Sequence, residues 1–455
     1  MSLTRRSLKQ CATHIRLLTT ESVQSSNHQS PLPPPPSSSS TTAATSNGTA
    51  TTTSTRTTRS RLGPTPRPTN SHFARTQDNL RLTTRLRSLP SLPHNFGANQ
   101  LLAVPTTTRD MLESIVAQFE APIRYAFAYG SGVFEQDGYK RDDPNRPMLD
   151  FMFAVSHPSH WHSINMARNP SHYPLHARLL GSDFVAKTQE VGPGVWFNPY
   201  VTVKDVTIKY GVTSIDTLCS DLLSWHSLYL AGRMHKPLRI IKDDARVRLT
   251  QQVNLTSALR TALLTLPERF SERELFERIA GLSYSGDPRM WLPAENRNKL
   301  TNIVSKQVGQ FRELYRRLAL GLPGVQWNTI GGLIEQDLDP KTRVLHLRKL
   351  PSGLLTRVDR WYMLRMDNPS KEADDSAYWK AVAGDPRLSH VITQGKTHSL
   401  DPFLLLTPSL FPETKNIVGY PATLQSMKGL VSAGFSKSFR YGAGKVGKWW
   451  KSESK

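Results

Sequence analysis

The residues with the clearest chemical use are Gly130, Ser131 and Gly132, followed after a short connection by Asp150. The apolar and aromatic run 123–129 reads as a strand, and the glycines end it. A strand that closes on Gly-Ser can open a helix whose free backbone N–H groups face a triphosphate. Small residues let the phosphates approach, and the Ser131 hydroxyl adds a donor. Asp150 sits in a second apolar run, 148–155 (MLDFMFAV), which reads as a buried strand. If the two strands are neighbours, its carboxylate meets the same phosphates through Mg²⁺, and the chemistry is nucleotidyl transfer. The same residues also suit a plain tight turn and a strand-end Asp bonded to backbone.

Gly-Ser, a spacer and then an acidic residue on a strand is the layout of the nucleotidyltransferase superfamily, with one departure. The superfamily uses two carboxylates one residue apart, and here the second place is Met152. Asp205 is a candidate replacement by chain order, although beside Lys204 it also reads as a hairpin-turn residue. Glu135 and Asp137 follow the glycine turn as further acidic groups or as solvated loop charges. Lys209 is a cation among apolar neighbours, where burial is costly without a partner, so a phosphate partner is expected.

These residues need elements to hold them. Residues 110–119 read as a helix leading into the first strand. Residues 195–203 and 206–212 read as a hairpin around Lys204-Asp205, 215–230 as a helix and 238–241 as a short strand. After about residue 250 apolar residues recur at helical spacing over 255–266, 272–282 and 299–318, which predicts a second, mostly helical domain. Short mixed segments follow to about 406. The predicted class is α+β: a nucleotidyltransferase domain over 91–250, with a mixed sheet and flanking helices, then a helical domain over 251–406.

The 455 residues carry a formal net charge of +22 and a sequence pI near 10.1. That balance favours anionic partners without selecting one. Two cysteines, Cys11 and Cys219, exclude a disulfide scaffold, and Cys219 lies in an apolar stretch that suggests inert core. No run reaches the roughly 18–20 apolar residues of a membrane span. Residues 1–25 open with Arg5, Arg6, Lys9 and Arg16 and hold no acid before Glu21, the pattern of a mitochondrial transit peptide. Residues 26–90, dominated by Ser, Thr, Pro and Ala, read as a disordered linker. Residues 407–455 end in a basic tail. There Val431, Phe435, Phe439, Ala443, Val446 and Trp450 share a helical face, while Lys437, Arg440, Lys445, Lys448 and Lys451 lie largely off it. Such a tail suits an anionic bilayer surface.

Eight motifs stand along the chain: YAFAYGSGVF (125–134), MLDF (148–151), HWHSINM (160–166), GPGVWFNPY (192–200), IKYGV (208–212), LYLAGRMHKP (228–237), GLSYSGDPR (281–289) and GLVSAGFSKSFRYG (429–442). Together they resemble the mitochondrial phosphatidate cytidylyltransferase family, also called translocator assembly and maintenance proteins. The resemblance implies that CTP and phosphatidic acid give CDP-diacylglycerol and pyrophosphate, with Mg²⁺ required. It implies a peripheral place on the matrix side of the mitochondrial inner membrane, amid its anionic lipids, feeding cardiolipin synthesis. It also implies a winged-helix-like second domain and a single acidic residue in the MLDF strand. Asp150 is then the expected Mg²⁺ ligand, Gly130, Ser131 and Gly132 the triphosphate cradle, and Lys209 a catalytic cation. Arg233 and Lys236 are expected on the lipid phosphate or pyrophosphate, or else at a solvated helix end. His162 and Ser163 lie in a family motif, although a His on an aromatic segment is more often structural. Tyr284, Asp287 and Arg289 either reach a cleft between domains or cap a turn. No nucleic-acid partner is expected. The alternatives are a nucleotidyltransferase acting on RNA ends and a non-catalytic maintenance factor for the import machinery.

Overall fold

The computed structural model describes residues 92–130, 133, 148–284, 299–328, 331–364, 375–393, 418–429 and 432. The expected leader and linker, Ser131, Gly132, Glu135, Asp137, Asp287, Arg289 and the tail beyond 432 lie outside them.

Helix α1 (Thr106–Val116) leads to strand β1 (Tyr125–Tyr129), and β2 (Leu149–Val155) lies antiparallel beside it. Helices α2 (Pro158–Arg168) and α3 (Leu175–Glu190) carry the chain to the hairpin β3 (Trp196–Val203) and β4 (Val206–Ser214). Its tight turn places both Lys204 and Asp205 at positive φ, the twist that joins adjacent antiparallel strands. Helix α4 (Ile215–Ser224) starts where the Ser214 hydroxyl accepts the Thr217 N–H at 2.9 Å. β5 (Arg239–Lys242) completes a mixed sheet of order β3-β4-β2-β1-β5, in which only β2 and β4 run parallel.

Because β2 is central, both of its faces are covered, and it therefore reads as an unbroken apolar run rather than an alternating one. Phe151, Phe153, Ala126, Ala128 and Tyr210 pack on one face with α1 and Trp161 of α2. Phe127, Met152 and Ala154 face α4 and a larger core continuous with the helices that follow.

Helix α5 (Ala245–Leu263) is capped by the Asp244 carboxylate, which also pairs with Arg124 at 2.7 Å. Residues 250 and 251, where the composition changes, lie inside this helix. After it come β6 (Arg269–Ser271), α6 (Glu272–Gly281), α7 (Lys299–Lys306), α8 (Val308–Leu320), β7 (Val325–Trp327) and β8 (Leu333–Gln336), with strand order β6-β8-β7. Helix, strand, two helical steps and a closing hairpin in this order is the winged-helix arrangement. Buried Glu272 ties it together, accepting from Arg312 at 2.6 Å and from Trp327 Nε1 at 2.8 Å. Helices α9 (Pro340–Leu347), α10 (Ser352–Met363), α11 (Asp375–Gly384) and α12 (Leu388–Thr393) follow, and α13 spans 418–429.

Two expected helices end or split early. α4 stops at Ser224 rather than 230, because Trp225 turns to φ 52° and the chain leaves the helix. The 299–318 helix is two helices, broken at Gln307, whose backbone is non-helical. Among the described residues no helix is long and apolar enough to cross a membrane.

Candidate active site

Tyr129, the last residue of β1, stands directly opposite Asp150 of β2, and Asp150 stands beside Lys209 of β4. Three neighbouring strands thus deliver the glycine turn, the carboxylate and the cation to one end of the sheet. Gly130 has φ 90°, a conformation that disfavours any other residue. A Cβ there would lie 3.5 Å from Asp150 Oδ2, so the carboxylate lies beside the start of the turn. Val133, the next described residue, is helical and buried.

Asp150 is 31% exposed and Lys209 20% exposed at the side chain, and their charges lie 3.6 Å apart. The Lys209 ammonium also sits 4.6 Å from the centre of the Phe197 ring. Beneath it Gly211 has no side chain for a packing reason. A Cβ would come within 2.6 Å of Phe197 and 2.8 Å of the Met152 sulfur. Met152 itself is fully buried. The place of the superfamily's second carboxylate is therefore core, one pleat inward from Asp150.

Arg233 reaches the site from the loop after α4. Its guanidinium stacks 3.8 Å from the Tyr229 ring centre, lies 5.8 Å from that of Tyr129, and donates to the Tyr229 carbonyl. Burial pushes the Tyr129 phenol above its usual range. Asp150 pushes it further, and Arg233 and Lys209 pull it back, so one aromatic ring senses all three charged groups. Lys236 donates to the Gly232 carbonyl at 2.7 Å and to Ser283 Oγ at 2.8 Å, and lies 5.0 Å from the Tyr284 ring. The segment after α6 therefore does reach the Arg233 loop, through Ser283 and Tyr284.

Sequence reasoning missed what holds that loop. Asp221, buried near the end of α4, accepts the backbone N–H groups of Ser227, Leu228, Leu230 and Ala231, and the Ser227 hydroxyl, at 2.9–3.1 Å. One carboxylate satisfies five donors and fixes the approach to Arg233. Tyr129 and Tyr229 were also missed, although both lie inside quoted motifs. An aromatic residue beside the glycines was the available signal.

Other candidates are placed elsewhere. Asp205 is the turn residue, four positions along β4 from Lys209, roughly 13 Å at strand rise. His162 is buried between Tyr173 Oη (2.8 Å) and Gln189 Oε1 (2.9 Å), and burial lowers its pKa to about 4. It belongs to a polar network with Asn165, His172, Asn198 and Tyr210, whose hydroxyl Asn165, His172 and Asn198 all contact. Ser163 is exposed. Cys219 is buried, and burial pushes its thiol up to about 12, which keeps it inert.

Among the described residues no group of three or more His, Cys, Asp or Glu side chains is arranged for a metal ion. Asp150 offers one accessible carboxylate beside Gly130. That fits Mg²⁺, which is commonly held by one or two carboxylates and substrate phosphates rather than by an all-protein cage.

Residues 112–448 match the family model described as phosphatidate cytidylyltransferase, mitochondrial. Curated proteins of that name are similar to the chain. The one from Xenopus laevis is 39% identical over 335 residues, covering 73% of this chain and 92% of its own length. That from Mus musculus is 38% identical over 343 residues (75% and 94%), and that from Saccharomyces cerevisiae 43% identical over 229 residues (50% and 59%).

Proposed function

The chain belongs to the mitochondrial phosphatidate cytidylyltransferase family, and on that premise we propose that it joins CTP and phosphatidic acid into CDP-diacylglycerol with release of pyrophosphate. The observation that carries the reading is the meeting of Gly130, Asp150, Lys209 and Arg233 around Tyr129 at one sheet end.

A phosphate oxygen of the lipid attacks the α-phosphorus of CTP in line, and the bond to pyrophosphate breaks. A phosphate monoester is largely ionised near neutral pH, its second pKa being about 6, so no strong general base is needed. The protein's work is positioning and charge neutralisation. The turn at Gly130-Ser131-Gly132 receives the triphosphate. Lys209 and Arg233 offset its charge, and Arg233 suits an oxygen pair because its plane is fixed on Tyr229. Lys236, held by Ser283, lies on the same loop for the lipid phosphate or the departing pyrophosphate. Mg²⁺, held by Asp150 together with phosphate oxygens, would supply further neutralisation of the transferring group.

The wider setting is proposed with it: a transit peptide over 1–25, and peripheral attachment to the matrix side of the inner membrane through the basic tail and anionic lipids. There the product would feed cardiolipin synthesis. The test is purified protein with CTP, Mg²⁺ and phosphatidic acid. Wild type should form CDP-diacylglycerol, and Asp150→Asn should lose at least a thousandfold in rate while its thermal midpoint stays within a few degrees. Product formation equal in both, or none in either, would sink the reading. Extension of RNA ends by the same preparation would put the nucleic-acid reading in its place.

A further inference from the structure

Helix α13 buries a lysine and exposes two large apolar side chains. Its inward side carries Val418, Pro421, Ala422, Gln425 and Lys428, while Tyr420 and Met427 are 72% and 62% exposed beside exposed Thr423 and Ser426. Lys428 is turned into the protein, donating to the carbonyls of Gln189 (3.0 Å) and Val191 (2.7 Å) at the end of α3. Leu424 closes against Gly192, where a Cβ would stand 2.8 Å away. A lysine is ordinarily outward on a surface helix, and a tyrosine or methionine inward. The helix is thus pinned by its buried lysine and leaves Tyr420 and Met427 in solvent.

The element it is pinned to also exposes large apolar side chains. Gly181 interrupts α3 with non-helical backbone, and the turn before it buries Ala177 but exposes Leu175 (62%), Leu179 (77%) and Leu180 (59%). Exposed Arg178 stands among these leucines, and exposed Asp183, Lys187 and Glu190 follow along the helix, so the basic charge comes from the tail. Val191, whose carbonyl Lys428 holds, is 47% exposed. Three leucines within six residues is more than the scatter of single apolar side chains on an ordinary surface.

We infer that α3 and α13 together form a face that seats on an anionic lipid bilayer, Leu175, Leu179, Leu180, Tyr420 and Met427 entering the headgroup boundary. The choice of a bilayer rests on the lipid-substrate reading above, and on charge and continuity. The chain leaves α13 directly into 433–455, which holds Lys437, Arg440, Lys445, Lys448 and Lys451 beside Trp449 and Trp450. The tail supplies attraction to anionic headgroups, and the pinned face supplies apolar contact and a fixed orientation of the catalytic sheet over the lipid.

The test uses the full chain, vesicle flotation and two substrates. On vesicles of phosphatidylcholine with phosphatidylglycerol, Leu175→Ser/Leu179→Ser/Leu180→Ser and Tyr420→Ser/Met427→Ser should each bind at least tenfold less than wild type. The loss should persist in 0.5 M salt, where the tail's attraction is screened. Leu179→Trp should bind more tightly. kcat/KM on vesicle-borne phosphatidic acid should fall about tenfold in the serine variants, and on a water-soluble short-chain phosphatidic acid it should stay at the wild-type value. Serine variants that float like wild type overturn the proposal. So does a wild-type dimer that these variants turn into a monomer, because the face would then join two copies of this chain. Leucine-dependent flotation by a protein that turns over neither substrate keeps the face and overturns the enzymatic reading alone.

Discussion

At Arg233, charge and plane act together. The guanidinium is stacked on Tyr229 and bonded to its carbonyl, so its direction is set before any phosphate arrives. Arg233→Lys keeps the charge but loses the stacked plane and the paired N–H donors. The expected result is a fall of tenfold or more in kcat/KM for CDP-diacylglycerol formation, with little change in unfolding midpoint, read from steady-state kinetics beside a melting curve. Asp150 and Lys209 were legible in the sequence because each is a charge embedded in an apolar strand, and such a charge needs a reason. Tyr129, Tyr229 and Gly211 were not. Their roles depend on what lies across a strand pair or a loop, and Gly211 is explained only once Phe197 and Met152 are seen to fill the space its side chain would take. Asp205 had two readings in the sequence, ligand by chain order and turn residue by its place between two strands, and the hairpin geometry selects the turn.

The elements follow the same division. The apolar strands and the starts of α4 and α6, at Ile215 and Glu272, were readable because they rest on neighbouring residues. The end of α4 was not, because the apolar spacing continues past Ser224 while Asp221 draws the following backbone into a loop. Asp221→Ala should leave four loop N–H groups without their acceptor, three of them those of buried Leu228, Leu230 and Ala231. At about 1–3 kcal/mol per buried unsatisfied donor, a destabilisation above about 3 kcal/mol is expected, measurable by chemical denaturation. Docking of α13 should depend on pH. Burial lowers the Lys428 pKa to about 7, from an ordinary value near 10.5. Below about 7 the amine is charged whether docked or free, and the full cost of burying the charge is present. Between about 7 and 10.5 only the free form binds the proton, so docking tightens as pH rises, by up to about tenfold per unit. Hydrogen exchange of residues 418–429, corrected for intrinsic rates, should show more protection at pH 8.5 than at 6.5. Equal protection would count against it.

For the molecule as a whole, acid is the expected weakness. His162, His235 and His346 are buried, and burial lowers their pKa values to about 4, 3 and 4. As pH falls below 6.5 the unfolded chain takes up protons that the folded chain refuses, so stability drops through the window from 6.5 to about 4. A shift of that size corresponds to roughly 3 kcal/mol for each histidine. Urea midpoints measured at pH 7, 5.5 and 4.5 should fall steadily, and a flat profile would show that the histidines are not held neutral. The contact between α13 and α3 has a consequence in time. The carbonyls of Gln189 and Val191 are answered by a lysine 239 and 237 residues further along the chain. A ribosome or an import channel that delivers the amino end first hands over the sheet long before the residue that closes the end of α3. In that interval the sheet can form, but the end of α3 stays open, so this corner of the molecule is finished last.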